Sequence, residues 1–262
     1  MDSINNRQVE YNLAELLSCV ASRLLPDNQS VFVGTGLPMI ASMLAQRTHA
    51  PHILIIFEAG SIGPRVPVLP ISVGDSRTFY KAVSATSMHD VMAAAQAGYI
   101  DYGFLGAAAI DAYGNVNTTV IGDWEKPTVR LPGSGGANDL GSFCWRTLYI
   151  MRNQSQRTFM NKLDFVTTPG WLNGPGARER AGLPADCGPY RVITQLGVYG
   201  FDQKTKRLTL LSLHPGATVD DVQVNSGFQI LIPDDVPITE PPTAEEQRIL
   251  HEIDPTGMLL GK

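Results

Sequence analysis

Glu58 is the residue around which chemistry could gather. It follows an apolar run, Ile53-Leu54-Ile55-Ile56-Phe57, whose length and branched side chains read as a buried strand. Ala59-Gly60 comes next, a small pair that lets the chain turn sharply. A carboxylate at the C-terminal end of a buried parallel strand stands where open α/β sheets do their chemistry. The same residue alone also fits an ordinary strand-end acid facing water.

Glycine-rich segments supply the company Glu58 would need. Gly34-Thr35-Gly36-Leu37-Pro38 follows the short strand Val31–Val33 and precedes a helix through Ile40, Met43 and Leu44. A strand, a glycine turn and a helix bring backbone N–H groups to an anion, although a tight turn with no ligand reads the same way. Leu131-Pro-Gly-Ser-Gly-Gly-Ala-Asn-Asp139 holds three glycines and a serine in four consecutive positions. Such a run can point several amides into one concavity, where an oxyanion or phosphate is held. Gly135, Gly136 and Ala137, opposite Gly36, are the candidate donors, Gly136 and Ala137 first. Thr35, Ser134 and Asn138 are candidate contacts in the same loops. Thr168 to Arg180 mixes rigid turns with two arginines, and Leu213-His-Pro-Gly216 closes the set.

Composition narrows the class. The 262 residues are 44% hydrophobic and 17% charged with a net charge of −5, which is globular and gives no sign of nucleic-acid or acidic-membrane binding. Cys19, Cys144 and Cys187 lie far apart without a CxxC pair, which argues for reduced thiols in a cytoplasm rather than disulfides or a zinc site. The polar start MDSINNRQVEYN lacks the apolar run of a signal peptide, and Gln96 and Asp101 interrupt the most apolar stretch. A cytoplasmic protein is expected, with no metal. His49, His52, His89, His214 and His251 are scattered and read as structural or exposed.

The elements that must position these residues follow from pattern. Leu13, Leu16, Leu17, Val20 and Leu24 predict an opening amphipathic helix of about four turns. A proline-studded loop, Gly63–Pro70, follows the Glu58 strand. Ser87-Met-His-Asp90 caps a helix over Val91–Ala97, and Tyr102–Gly106 is another buried strand. Ala112–Asn117 reads as a turn. From about Arg191 the strands Arg191–Thr194, Gly197–Tyr199 and Leu208–Leu213, with Gly200–Lys206 as a hairpin turn, suggest an antiparallel addition. Thr218 caps a short helix, and Thr243-Ala-Glu-Glu246 opens the last one. The expected fold is α/β, an open, mostly parallel sheet with helices on both faces and a C-terminal antiparallel addition, in a single domain over 1–262.

Taken in order, FEAG at 57–60, GTGLP at 34–38, IDAYGNVNTTVIGD at 110–123, GSGGAND at 133–139, MNKLDFVTTPGWLNGPG at 160–176 and HPGAT at 214–218 resemble the β subunits of glutaconate CoA-transferases, a branch of the family I CoA-transferases. The resemblance runs from about Ala14 to Pro255. It implies that Glu58 is a catalytic nucleophile, that GSGGA lines the site beside it, and that coenzyme A is carried as acyl-CoA substrate and as a covalent glutamyl thioester in a ping-pong transfer. It also implies an α subunit as partner, in an α₂β₂ or larger assembly, and a glutaconate-like dicarboxylic acid. The middle of the nucleophile turn is Ala59 where the family usually carries Asn or Ser. The rival readings are a thioester hydrolase or decarboxylase of the same fold, relatives that lack this glutamate, then a non-catalytic partner subunit, then a sugar-phosphate isomerase-like enzyme. Arg65 and Arg77 flank the Glu58 loop and could meet a distal carboxylate or be surface ion-pair residues.

Overall fold

The structure, a computed structural model, describes residues 10–261. The polar N-terminal run Met1–Val9 lies outside the described residues. The chain opens with α1 (Leu13–Arg23), three turns rather than four, started by a capping box in which Asn12 and Glu15 exchange side-chain and backbone hydrogen bonds. It continues through β1 (Ser30–Val33), α2 (Leu37–Arg47), β2 (Leu54–Ile56), β3 (Ser61–Ile62) and β4 (Ser84–Ala85) to α3 (Met88–Gln96), capped reciprocally by Ser87 and Asp90. Then come β5 (Tyr102–Gly106), the small hairpin β6 (Ala109–Ile110) and β7 (Val116–Asn117), and a second hairpin of β8 (Val120–Gly122) and β9 (Pro127–Arg130). The last third holds α4 (Ala137–Phe143), β10 (Arg146–Ile150), α5 (Ala177–Arg180), β11 (Gly188–Ile193), β12 (Gly197–Phe201), β13 (Leu208–Leu213), α6 (Val219–Val224) and α7 (Ala244–Ile253). Thr218 and Thr243 start the final two helices with capping boxes to Asp221 and Glu246.

Among the described residues, nine strands form the main sheet in the order β13-β12-β11-β10-β5-β1-β2-β3-β4. The five from β11 to β2 are parallel, and β12 and β13 add antiparallel at one edge. Two departures from the sequence reading are informative. β11, expected in the antiparallel group, is the last parallel strand, paired with β10. The other edge carries its own antiparallel pair, β3 and β4, too short at two residues each to leave a pattern. The β13 edge is covered by the segment 231–238, through bridges from Thr209 to Leu231 and from Leu213 to Ile238.

The parallel strands read as unbroken apolar runs because both faces are buried. Val31 and Val33, Ile55 and Phe57, Leu148 and Ile150 point to one core with α1, α2 and α7. Phe32, Ile56, Leu105 and Tyr149 point to the other with α3, α4 and α6. Each fully buried Leu, Ile or Phe here contributes about 1.5–3 kcal/mol relative to exposure. Ties at the helix ends fix register: Arg23 forks onto Glu246 at 2.8 and 2.6 Å, and Glu15 meets His251 at 2.7 Å.

His214, at the end of β13, is 1% exposed, with Nδ1 at 3.0 Å from the Thr239 hydroxyl. Burial pushes its pKa down from 6.5 to about 4. Between those values the unfolded chain binds a proton that the folded chain refuses, so stability falls as the pH drops through this window. At about 1.4 kcal/mol per unit of displacement, the loss is on the order of 3 kcal/mol. Chemical denaturation at pH 7, 5.5 and 4 is expected to show a flatter pH dependence for His214→Gln than for the parent. Parallel curves would rule this residue out as the source.

Candidate active site

The chain leaves β1 through α2 on one face to reach β2, then returns through α3 on the other face to β5, on the far side of β1. β1 and β5 therefore diverge at a topological switch point, where a crevice opens beyond the strand C-termini. A cleft of about 400 Å³ lies there, walled by Phe32–Thr35 at the end of β1, Leu105–Ala108 at the end of β5, Pro132–Ala137, Val73 and Thr118, with Glu58 in its lining. A second cavity of about 430 Å³, lined by Asp101, Arg146, Trp171 and Tyr190, opens at the opposite, N-terminal ends of β5, β10 and β11. It is slightly larger, but it sits away from the switch point and the glycine loops, so the first cleft is the candidate site.

Glu58 is set by a backbone turn. The Phe57 carbonyl accepts from Gly60 N–H at 2.9 Å and Phe57 N–H donates to the Ser61 carbonyl at 2.9 Å, which closes a three-residue loop between β2 and β3. Gly60 has φ +103, and a Cβ there would lie 2.0 Å from the Thr86 carbonyl oxygen, so the chain before α3 presses on the turn from behind. Glu58 is half-buried, and its Oε1 accepts from Gly136 N–H at 3.0 Å.

The partner loop is held from both ends. Gly133 and Thr118 exchange hydrogen bonds at 2.8 Å each, and the Ser134 carbonyl accepts from Ala137 N–H at 2.9 Å. Positive φ at Gly133 (+95) and Gly135 (+48) turns the chain so that Gly136 starts α4 beside the carboxylate. A Cβ on Gly136 would meet Met92 Cε at 2.4 Å and Glu58 Oε1 at 3.3 Å, so a side chain there would have to displace the tip of Met92.

The sequence-selected residues therefore divide. Glu58, Thr35, Ser134, Gly135, Gly136 and Ala137 share the lining, whereas Gly36 stands one step outside it, at φ +93 before α2. Ala137 corrects an expectation: its amide is spent on Ser134 and is not free to hold an oxyanion. Asn138 braces the loop from outside the lining, donating Nδ2 to the Thr167 carbonyl at 2.9 Å. The amides of Thr35, Ala107, Ala108, Ser134 and Gly135 have no acceptor among the described residues. None of the five histidines lines the cleft. Neither do the two arginines: Arg65 donates to the Pro51 carbonyl, and Arg77 is locked onto Asp75. Thr118, Val73, Met92 and the Ala107-Ala108 pair were not singled out as site residues in the sequence. Thr118 carried the signal of the quoted run 110–123, and the alanines that of their place directly after a recognisable strand. Among the described residues no group of three or more His, Cys, Asp or Glu is arranged to hold a metal, and no helix is long and apolar enough to cross a membrane.

The profile described as Coenzyme A transferase matches residues 15–225. The B subunit of glutaconate CoA-transferase from Acidaminococcus fermentans is 39% identical over 251 residues, 94% of this chain and 93% of that protein. The B subunit of 3-oxoadipate CoA-transferase from Pseudomonas knackmussii is 39% identical over 245 residues, covering 93% of this chain and 94% of its own. The crystal structure of glutaconate coenzyme A-transferase from A. fermentans superposes with a TM-score of 0.91 at 37% identity, over 97% of this chain and 98% of that one.

The turn makes a direct prediction. Gly60→Ala places a methyl group against main chain in a left-handed conformation and is expected to cost about 2–4 kcal/mol. Ala59→Ser, at a half-buried position, is expected to stay within about 0.5 kcal/mol. Urea unfolding of both variants checks the pair; a Gly60→Ala curve superposing on the parent would contradict the clash.

Proposed function

The chain belongs to the coenzyme A transferase family, and from that membership we propose that it is the B subunit of an enzyme moving coenzyme A between a glutaconate-like dicarboxylic acid and a second carboxylic acid, with Glu58 as covalent nucleophile. The observation that carries this reading is the Glu58 carboxylate on the Gly136 amide, in a cleft whose lining, among the described residues, has no other ionisable side chain.

The chemistry needs no proton transfer, which suits that lining. A Glu58 oxygen attacks the thioester carbon, the C–S bond breaks, and coenzyme A leaves as thiolate from a mixed anhydride. The thiolate then attacks the glutamyl carbon and the first acid departs as carboxylate, leaving a Glu58–CoA thioester. A second carboxylate enters and the steps reverse. Nucleophiles and leaving groups are anions throughout, so no histidine is required as general base.

The cleft stabilises the charge that moves. When thiolate attacks the glutamyl carbon, negative charge gathers on the carboxyl oxygen that stays unbonded to the acyl group. Gly136 N–H already stands 3.0 Å from Oε1, which makes it a donor to that oxyanion, worth on the order of 3 kcal/mol. The oxyanion on the substrate's own carbonyl needs a different donor, and the unspent amides of Gly135, Ser134 and Thr35 are the candidates. Among the described residues no cation lines the cleft, so recognition of the distal carboxylate falls to the partner. That partner is the A, or α, subunit of a hetero-oligomer, as the B-subunit names of the relatives suggest.

The test uses the chain co-purified with its partner and a panel of dicarboxylyl-CoA thioesters, with and without acetate. Mass spectrometry is expected to find acetyl-CoA only when acetate is present, and a CoA-sized adduct on the Glu58 peptide when it is withheld. Glu58→Gln is expected to reduce both to background. Free coenzyme A or a decarboxylated thioester formed without an acceptor would replace the transferase reading with a hydrolase or decarboxylase.

A further inference from the structure

Arg178 in α5 is the largest fully buried side chain of the described residues, 1% exposed. Burying a guanidinium is expensive unless its hydrogens find strong acceptors, and here the acceptors are carbonyls alone. Nη1 donates to Gly141 at 3.1 Å, Pro169 at 3.3 Å and Gly170 at 2.9 Å, and Nη2 donates to Ser142 at 2.9 Å. Gly141 and Ser142 belong to the last turns of α4, where the orphan carbonyls and the helix dipole favour a cation.

The other end of that helix is the active-site loop. α4 is seven residues, about 10 Å, and its N-cap is Gly136, whose amide holds Glu58. The segment Thr167–Gly170 runs beside it and is fastened at three levels. Asn138 reaches the Thr167 carbonyl at the front, and Gly141 packs so closely in the middle that a Cβ would sit 2.2 Å from Thr168 Cγ2. Arg178 bridges the two at the back, using both prongs of its fork. The helix has no freedom to slide along its axis without breaking these contacts.

We propose that Arg178 is a positioning residue for the transfer reaction, holding the end of α4 so that Gly136, at the helix start, keeps the Glu58 carboxylate in its attacking orientation. The proposal rests on the reading of Glu58 as nucleophile. Nη1 spans the two segments, and the fork adds a second carbonyl of α4, Ser142, through Nη2, which the single ammonium of a lysine standing at Nη1 would leave unpaired.

The experiment compares Arg178→Lys with the parent, each assembled with the partner subunit. The variant is expected to assemble and to keep the parent KM for acyl-CoA, while kcat falls on the order of 10- to 100-fold, as a displaced reacting group would cause. Hydrogen exchange at the Gly136 amide, whose acceptor is Glu58, is expected to speed up. Parent-like kcat and Gly136 exchange would overturn the proposal and leave Arg178 a packing residue. If Arg178→Lys fails to assemble, Gly141→Ala decides: it pushes α4 off Thr168 with Arg178 intact, and the same fall in kcat at constant KM is expected, with an unchanged kcat overturning the idea. Glu58→Gln separates the two readings. Were it to retain turnover, the nucleophile assignment would fall, and Gly136 exchange in Arg178→Lys would still report whether the arginine positions the loop.

Discussion

One hydrogen bond, from Gly136 N–H to Glu58 Oε1, joins segments 78 residues apart, and much of the molecule exists to bring its two ends together. One end is delivered by β2 and the turn after it, the other by α4 and its glycine loop. Neither segment could hold this geometry alone. β2 is three residues long and draws its stability from β1 and from the cores on both faces. α4 has seven residues, too few to persist as an isolated helix.

The site is built from main chain more than from side chains. The turn at Glu58 closes on backbone partners, the loop at Gly133–Ala137 is braced by backbone and threonine bonds, and the donors facing the cleft are amides. Amide dipoles fixed by the fold need no reorganisation when charge shifts, which is where electrostatic catalysis gains most. Apolar, alanine and glycine residues make up most of the cleft lining, with Thr35, Thr118 and Ser134 as its hydroxyls.

Much of this was legible in the sequence. The branched run at 53–57, the acid behind it and the capping boxes at Ser87, Thr218 and Thr243 are local patterns with local causes, and they stand where the residues indicated. The losses have a common origin. β10 lies at the heart of the sheet, yet Arg146–Ile150 is five residues after a glycine-rich stretch and gives no lasting periodicity. β3 and β4 are made by pairing alone. Ala137 was expected to face a ligand, but whether an amide is free depends on the turn its neighbours adopt, and composition does not record that. The two arginines of Gly-Ala-Arg-Glu-Arg look alike in the chain; only packing separates buried Arg178 from exposed Arg180.

The sheet's two borders differ in length and are made safe in different ways. A six-residue border at β13 would invite another chain to add a strand, and the segment 231–238 lies along it. At the β4 border the last two strands are two residues each, so the sheet runs out one strand beyond the Glu58 turn. A rim that short offers no template for strand pairing. A neighbouring molecule arriving beside the cleft must therefore engage it with side chains and loops, and recognition there is chemical rather than a matter of aligned backbone.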